Sequence, residues 1–227
     1  PTYRPESVDV VGLVQALRAA GVRVVVADDA SPSASQAVLG QIQALGVDVV
    51  RHDRNAGIAR SLNVGLRVAR EAGSQWLLTV DQDSALPADY VEHMRAAIAD
   101  ATARLGSRVG AVAAGVVDDQ SGAFGYPVTE VAAVPTTPEV IQTGTAWHVP
   151  ALEEIGGFDE SFGIDAVDAA ACVRLRASGR LVVLAPKAAI GHRVGHARVV
   201  RFLGRDVLAT GHAPHRRVMM VRNRLRL

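Results

Sequence analysis

Residues 22–31 read VRVVVADDAS and residues 76–84 read WLLTVDQDS, and these two stretches decide the fold class. Each begins as a short apolar run of the kind found in a strand that is buried on both faces. Each run then ends in acidic residues, at the point where such a strand would leave its sheet. We therefore predict buried strands over 22–27 and 75–80, with a polar site at their carboxyl ends.

Segments with helical periodicity alternate with such strands along the chain. Apolar residues recur at the spacing of one helix face over 6–20, 33–45, 56–72, 87–105 and 167–178, and further short apolar runs occupy 47–51, 109–117 and 180–185. This alternation indicates an α/β fold with a mostly parallel central sheet. Because ligands of such sheets bind beyond the carboxyl ends of the strands, we look for function there.

The composition narrows the classes of protein to consider. With 227 residues, of which 49% are hydrophobic, the chain can form one domain with a sizeable core. The single cysteine, Cys172, excludes an internal disulfide framework and a metal site built from several cysteines. The longest apolar run, 109–117, is about half the roughly 18 residues that a membrane-spanning helix needs. No pattern typical of a signal peptide is present.

Charge is distributed unevenly, although the net charge is only +1. From residue 191 onward the chain carries nine arginines and one acid, Asp206. Such a segment either lies against an anionic membrane or an acceptor diphosphate, or forms a solvated basic helix. We expect no nucleic-acid partner, because no recognised nucleic-acid-binding module accompanies the charge.

Asp81 and Asp83 form an Asp-X-Asp pair directly after a predicted strand. Alternate residues at a strand end point the same way, so both carboxylates can approach one divalent cation. Such a cation would take its remaining ligands from water and substrate phosphates. The alternative is a solvated turn in which Asp83 caps the following helix.

Two further segments suggest polar sites at helix starts. The segment 54–65, which begins with Arg54, Asn55 and Gly57, could bring backbone N–H groups close to an anion, or it is an ordinary helix start capped by Asn55. It matches neither a phosphate-binding loop of the Walker type nor a Rossmann fingerprint.

Asp168 opens another predicted helix, either as a first-turn acid stabilised by the helix dipole or as a general base toward a hydroxyl. His192, further along, is either a third ligand for a Mn²⁺-like ion or an ordinary surface or core histidine.

Six motifs in order across nearly the whole chain resemble family 2 glycosyltransferases, most closely the bacterial rhamnosyltransferases. They are 1–5 (PTYRP), 26–31 (VADDAS), 54–57 with 63–65 (RNAG and NVG), 81–83 (DQD), 156–160 (GGFDE) and 167–168 (VD).

The resemblance implies a GT-A fold, an α/β/α sandwich with a mostly parallel central sheet in a single domain. About 1–105 would form a nucleotide-binding half, about 106–190 an acceptor half, and 191–227 a basic C-terminal segment. Nucleotide binding would fall to Thr2, Tyr3, Asp28, Asp29, Arg54, Asn55, Arg60 and Asp81. Asp81, Asp83 and His192 would hold Mg²⁺ or Mn²⁺, Asp168 would be the catalytic base, and Asp165 and Trp147 would contact the acceptor. Trp147 has the alternative role of a core aromatic residue.

The activity implied by the resemblance is an inverting, metal-assisted transfer of a sugar, with rhamnose expected, from a pyrimidine-nucleotide donor such as dTDP-rhamnose or a UDP-sugar. The acceptor would be a hydroxyl of a glycan or a lipid-linked glycan in bacterial cell-wall or polysaccharide biosynthesis. The expected location is the cytoplasm, at the inner face of the plasma membrane.

Departures from the family pattern keep two alternatives open. The family's first strand would precede Pro1, and Ala170 stands where an acid often follows the base. One alternative is therefore a non-catalytic or truncated nucleotide-sugar-binding domain. The other is a phosphohydrolase of the haloacid dehalogenase type, because 81–83 imitates its nucleophile motif, although no suitable acids follow the single lysine, Lys187.

Overall fold

The computed structural model describes residues 1–5, 8–118, 125–192, 198–202, 205–209 and 214–227, with side chains over 1–5, 10–115, 125–190 and 216–227. The helices are α1 (Val8–Ala19), α2 (Gln36–Ala44), α3 (Ile58–Glu71), α4 (Tyr90–Leu105), α5 (Val149–Glu154), α6 (Val167–Ala177) and α7 (Pro214–Arg224). The strands are β1 (Val25–Asp28), β2 (Asp48–Arg51), β3 (Trp76–Thr79), β4 (Val109–Asp118), β5 (Thr129–Val131), β6 (Val134–Thr136), β7 (Thr145–His148), β8 (Leu181–His192), β9 (Arg198–Phe202) and β10 (Arg205–Ala209).

The main sheet has six strands in the order β3-β7-β4-β8-β6-β5. Within it β4 and β8 run parallel, whereas the other neighbouring pairs are antiparallel. The α/β class is therefore confirmed, but the prediction that the central sheet is mostly parallel is wrong for these six strands. The physical reason is three strands that were not predicted from the sequence: β7 enters between β3 and β4 and runs opposite to both, and β6 pairs antiparallel with β8 and with β5.

Helices cover both faces of this sheet, and side-chain alternation along β4 shows how. Ala111 and Ala113 pack in a core with residues of α3, α5 and α6. Val112 and Ala114 face the other way, into a core with Tyr90 and further residues of α4. A strand that is buried on both faces needs a continuous apolar run, and this explains the composition of 109–117.

The predicted nucleotide-binding half has its own small sheet, in which β1 and β2 pair in parallel. Its core consists of Val10, Val14, Val26, Ile42 and Val47, contributed by the helices and strands on its two sides. A cavity of about 440 Å³ lies between β1 and β3 and is lined by residues of both strands. The two strands that end in acids thus lie on opposite sides of this cavity.

Candidate functional site

Asp28, at the end of β1, is fully buried and holds its own turn together. Its carboxylate accepts hydrogen bonds from Thr2 Oγ1 at 3.3 Å, from the Ser31 backbone N–H at 3.1 Å and from Arg51 Nε at 3.1 Å. The Ser31 hydroxyl donates to it as well. The carboxylate of Asp28 is therefore occupied by the protein, and we assign it the role of organising the end of the strand.

Asp29, the next residue, organises the segment that precedes α3. Oδ1 accepts from the backbone N–H of Ala56 at 2.8 Å and lies 3.1 Å from His52 Nδ1, while Oδ2 accepts from the N–H of Gly57 at 2.9 Å. A carboxylate oxygen can accept two hydrogen bonds. Among the described contacts Oδ2 accepts one, so it can accept a second. Of the two acids at this strand end, Asp29 is the one whose described hydrogen bonds leave an acceptor position unfilled.

His52 was not recognised from the sequence, where a single histidine after a short strand carries no signal. The structure buries it beside Asp29. Its Nε2 has no hydrogen-bond partner within the part of the chain that the structure describes.

Gly57 is the N-cap of α3, and here the two predicted halves of the chain meet. Its φ of 91° and ψ of 168° are open almost exclusively to glycine. A Cβ at this position would lie 2.3 Å from the carbonyl oxygen of Gly163. That same oxygen accepts a hydrogen bond from the Ile58 N–H at 2.9 Å. Asn55 is not the helix cap, contrary to one of the two interpretations, because α3 begins at Ile58 and no side chain caps it.

The remaining predicted nucleotide residues lie around this segment. Arg54 and Asn55 are exposed, and Arg60 is half-buried. The ring of Tyr3 is exposed, with the Arg4 guanidinium 5.1 Å from its centroid. The Tyr3 backbone is held by Gln82, whose Oε1 accepts from the Tyr3 N–H at 3.0 Å and whose Nε2 donates to its carbonyl at 3.1 Å.

The Asp81–Ser84 turn follows β3 and is tied to the segment before β7. The Asp81 N–H donates to Thr143 Oγ1 at 2.9 Å, and the hydroxyls of Ser84 and Thr143 lie 2.7 Å apart. Asp81 is half-buried, whereas Asp83 is exposed. The alternative role of Asp83 as a helix cap is wrong, because α4 begins at Tyr90 after Asp89.

The predicted metal ligands Asp81 and Asp83 both supply carboxylate oxygens. Mg²⁺ and Mn²⁺ prefer oxygen ligands, and Mg²⁺ sites often combine one or two carboxylates with waters and substrate phosphates. Over the residues that the structure describes, no three His, Cys, Asp or Glu side chains gather into a metal-binding group. The side chain of His192, the predicted third ligand, lies outside the described residues. The metal site therefore stays a prediction, in which Asp81 and Asp83 would supply two carboxylates and the rest of the coordination shell would come from substrate and solvent.

Asp168 lies in the first turn of α6 and is half-buried. Its Oδ1 accepts from the Ala169 N–H at 2.9 Å, and its Oδ2 accepts from the backbone N–H of Gln142 at 3.1 Å. Burial raises the pKa of Asp168, and these hydrogen bonds offset part of that rise. A carboxylate with a raised pKa holds a proton more strongly than an ordinary aspartate, which is the property that a general base needs.

Gln142 joins the two acidic groups, and the sequence analysis did not identify it. Its backbone binds Asp168, and its side-chain Nε2 donates to Oδ1 of Asp81. The residue is 6% exposed, and its Oε1 has no hydrogen-bond partner among the described atoms. A glutamine is not diagnostic in a sequence, and its neighbour Thr143 was the nearest available signal. One residue therefore fixes the position of Asp168 relative to the Asp81–Ser84 turn.

The two predicted acceptor residues are bound to the protein itself. Trp147 is completely buried in β7, donates Nε1–H to Thr79 Oγ1 at 2.8 Å and packs edge-on against Phe158 at 5.3 Å between centroids. Its predicted contact with an acceptor sugar is wrong, because β7 is an interior strand with helices over both faces. The carboxylate of Asp165 is bound by the Arg216 guanidinium at 3.0 Å, so its negative charge is already paired.

Several arginines of the basic C-terminal segment fold back on the domain. Besides Arg216, Arg224 binds both carboxylate oxygens of Glu139, at 3.0 and 2.6 Å. Arg226 donates to Ser161 and lies 4.7 Å from the centroid of the Phe162 ring. The side chains of Arg216 and Arg224 nevertheless remain 39% and 59% exposed, so the interpretation as a solvated basic helix stays open. The side chains of Arg193, Arg198, Arg201 and Arg205 lie outside the described residues.

The described part of α7 also presents apolar side chains to solvent. They are Val218, Val221 and Leu225, each more than half exposed. Across the residues that the structure describes, every helix is too short or too polar to span a membrane.

Comparison with known proteins assigns the family. A family model described as glycosyl transferase family 2 matches residues 2–147, more than half of the chain. The dTDP-rhamnosyl transferase RfbF of Shigella flexneri is 27% identical over 236 residues, which cover 98% of this chain and 76% of RfbF.

Solved structures share the fold at low sequence identity. TarS of S. aureus has a TM-score of 0.63 at 17% identity, over 86% of this chain and 36% of TarS, so the chain spans about a third of that protein. The TarS fragment 1–349 in complex with UDP has a TM-score of 0.63 at 18% identity, over 86% of this chain and 59% of the fragment. The structure of GalNAc-T7 with UDP, GalNAc and Mn²⁺ has a TM-score of 0.61 at 14% identity, over 91% of this chain and 42% of GalNAc-T7.

These structures confirm the predicted GT-A class, with the correction to the strand directions given above. The family model over residues 2–147 carries the assignment to a family. The chain therefore belongs to glycosyl transferase family 2, a family of glycosyltransferases.

Proposed function

We propose that the protein is an inverting glycosyltransferase that moves rhamnose from a dTDP-linked donor to a hydroxyl of a glycan or lipid-linked acceptor. The observation that carries this proposal is the link through Gln142, which binds Asp81 with its side chain and Asp168 with its backbone. A transferase needs a donor-side group and a base toward the acceptor within a few ångströms of one carbon atom. The choice of donor is supported by the likeness to RfbF, which is named as a dTDP-rhamnosyl transferase.

The donor nucleotide binds at the end of β1. The exposed ring of Tyr3 stacks on the pyrimidine, and Oδ2 of Asp29 accepts the N–H of the base. Arg54 and Arg60 lie near the phosphates, where their positive charge is favourable. The UDP complex of TarS supports a nucleotide site in this fold, although the identity there is only 18%.

Asp81 and Asp83 would hold Mg²⁺ or Mn²⁺ at the donor site. When bound, the ion supplies positive charge that stabilises the negative charge of the departing diphosphate. The GalNAc-T7 structure with UDP, GalNAc and Mn²⁺ supports this choice of ion. The exposed position of Asp83 leaves its carboxylate accessible from solvent.

Asp168 accepts the proton of the acceptor hydroxyl. As that oxygen forms its bond to the anomeric carbon, the bond from this carbon to the diphosphate oxygen breaks, and dTDP leaves with the bonding electrons. Attack comes from the face opposite the leaving group, so the configuration inverts. The hydrogen bonds from Gln142 and Ala169 keep the Asp168 carboxylate in place for this step.

The acceptor side includes the basic C-terminal segment. Arginines together with the exposed apolar side chains of α7 suit a surface that carries anionic lipid head groups. We therefore place the protein in the cytoplasm at the inner membrane face, where a lipid-linked acceptor would be presented.

Calorimetric titration tests the donor site. The chain is titrated with dTDP, UDP and GDP, each with and without Mn²⁺. We expect Mn²⁺-dependent binding of dTDP, weakened about tenfold or more in Asp83→Ala, because one of two carboxylate ligands is lost. No binding of any nucleotide by the folded chain would refute the proposal.

Asp168→Asn separates the transferase from a non-catalytic nucleotide-sugar-binding domain, the remaining alternative. The transferase requires that transfer collapses in this variant while dTDP binding survives. Equal transfer rates in wild type and variant would refute the base assignment. The phosphohydrolase alternative receives no support from the family match.

A further inference from the structure

The turn that leads into α6 has an unusual backbone. Asp165 and Ala166 are consecutive non-glycine residues with φ of 63° and 62°. This left-handed conformation is disfavoured for residues with a side chain, and it persists only where surrounding structure holds it. Asp168 follows two residues later, so the direction of its side chain depends on this turn.

Asn223, on α7, holds the turn from one side. Its side chain is completely buried, and Nδ2 lies 3.0 Å from the carbonyl oxygen of Phe162, 2.8 Å from that of Ile164 and 3.0 Å from that of Asp165. Its Oδ1 accepts two hydrogen bonds from the Arg222 guanidinium, at 3.1 and 2.9 Å. Only the NH₂ group can donate to three carbonyl oxygens, so the orientation of the amide is determined.

Other contacts act on the same turn. The Arg216 guanidinium binds the Asp165 carboxylate through Nε and Nη2, at 3.0 to 3.3 Å. From the opposite side, the N–H of Ile58 at the start of α3 donates to the carbonyl of Gly163 at 2.9 Å. The turn is therefore held between α7 and the helix that begins beside the proposed nucleotide site.

We propose that Asn223 is a positioning residue for the transfer reaction, because its amide holds the Phe162–Ala166 turn in the conformation that presents Asp168. This inference rests on the proposed function, in which Asp168 is the base. Asn223 acts through the backbone carbonyls and makes no contact with the reacting atoms. The amide accounts for three carbonyl groups that would otherwise lack these hydrogen bonds in a buried site.

The test compares Asn223→Ala with wild type on the full chain, in one structural measurement and in a second set that follows function. The first is hydrogen exchange by mass spectrometry over residues 160–168. The second is release of dTDP from dTDP-rhamnose with water as the acceptor, together with calorimetry of dTDP binding in Mn²⁺. We expect amides of the turn to exchange at least about tenfold faster, since more than one buried hydrogen bond is lost. We expect kcat to fall about tenfold or more, with KM and the dTDP affinity unchanged within about twofold.

A matched control is Asn63→Ala, which removes another side-chain amide that binds the same loop further upstream. Asn63 Nδ2 donates to the Phe158 carbonyl, and its Oδ1 accepts from the Phe158 N–H, each at 2.9 Å. In this variant we expect faster exchange near residue 158 and wild-type exchange at 164–168. If Asn223→Ala does not fold, Arg216→Gln tests the same turn through a partly exposed ion pair, with the same direction and a smaller effect.

Two results would overturn the proposal. Wild-type exchange over 164–168 in the folded Asn223→Ala variant would mean that other contacts hold the turn. Faster exchange with unchanged kcat would mean that the amide serves stability alone. If the wild-type chain neither binds dTDP nor releases it, the proposed function fails, whereas the exchange comparison still decides whether Asn223 holds the turn.

Discussion

Replacing Gly57 with alanine tests the contact that joins the two halves of the domain. The added Cβ would lie 2.3 Å from the carbonyl oxygen of Gly163 and 2.8 Å from its carbonyl carbon. Both atoms belong to backbone, so the clash cannot be relieved by rotating a side chain. The Gly57 N–H also donates to Asp29 at 2.9 Å, so displacement of the backbone disturbs the proposed nucleotide site as well.

Three contributions set the magnitude of the effect. The backbone conformation of Gly57 costs a residue with a side chain roughly 1–3 kcal/mol. Separating the two backbones removes the hydrogen bond from Ile58 to Gly163, worth about 1 kcal/mol. The displacement of packed atoms adds roughly 1–3 kcal/mol. We expect a loss of about 3–5 kcal/mol or more in the free energy of unfolding, a large share of the roughly 5–15 kcal/mol typical of a domain.

Urea denaturation of Gly57→Ala beside Gly73→Ala measures this loss. Gly73 has φ of 67°, and a Cβ on it would meet no described atom within 4 Å, so its substitution carries the backbone cost alone, about 1–2 kcal/mol. The two variants should differ by at least about 2 kcal/mol, and only Gly57→Ala should weaken dTDP binding. A difference below about 1 kcal/mol would refute the contact between the two halves.

Three further predictions follow from buried groups. Burial raises the pKa of Asp168, and a base acts only when it is deprotonated. The acidic limb of the pH–kcat profile should therefore lie above the ordinary aspartate pKa of about 3.9, and an acidic limb at or below that pH would contradict the assignment of Asp168 as the base. Thr143→Val removes the hydroxyl that binds the Asp81 N–H and the Ser84 hydroxyl. We expect the free energy of unfolding, measured by urea denaturation, to fall by about 1–3 kcal/mol and Mn²⁺-dependent nucleotide binding to weaken. Wild-type stability together with wild-type binding would refute this prediction. Burial raises the pKa of the Cys172 thiol to about 12, so a thiol reagent should label it only after unfolding in denaturant, and rapid labelling of the native protein would show that α6 is less tightly packed.

Local periodicity identified most helices and many strands correctly. The run 22–27 overlaps β1, 75–80 contains β3, and 109–117 lies within β4. Apolar spacing depends on neighbours two to four positions away, so it is visible in a single sequence. The acidic residues after β1 and β3 could be located for the same reason, because each follows directly on a recognisable apolar run.

Strand direction and pairing were not predictable in this way. β7 has four residues and lies next to a turn-like Thr-Gly-Thr segment, so it carries too little pattern to be recognised. Its position between β3 and β4 depends on contacts with residues more than thirty positions earlier in the chain. Two of the four antiparallel pairs in the main sheet follow from that insertion, and the other two involve β5 and β6, which have three residues each.

The sequence by itself determined the α/β class, the acidic turns at 28–29 and 81–83, and the family resemblance, because each depends on residue types at short, ordered spacings. Tertiary structure alone decided that Gln142 joins Asp81 to Asp168, that Trp147 is enclosed in the core, and that Asn223 holds the turn before α6. The physical reason is that hydrogen bonding and burial of a side chain depend on which distant segments pack around it, and a residue's own type and neighbours do not specify those segments.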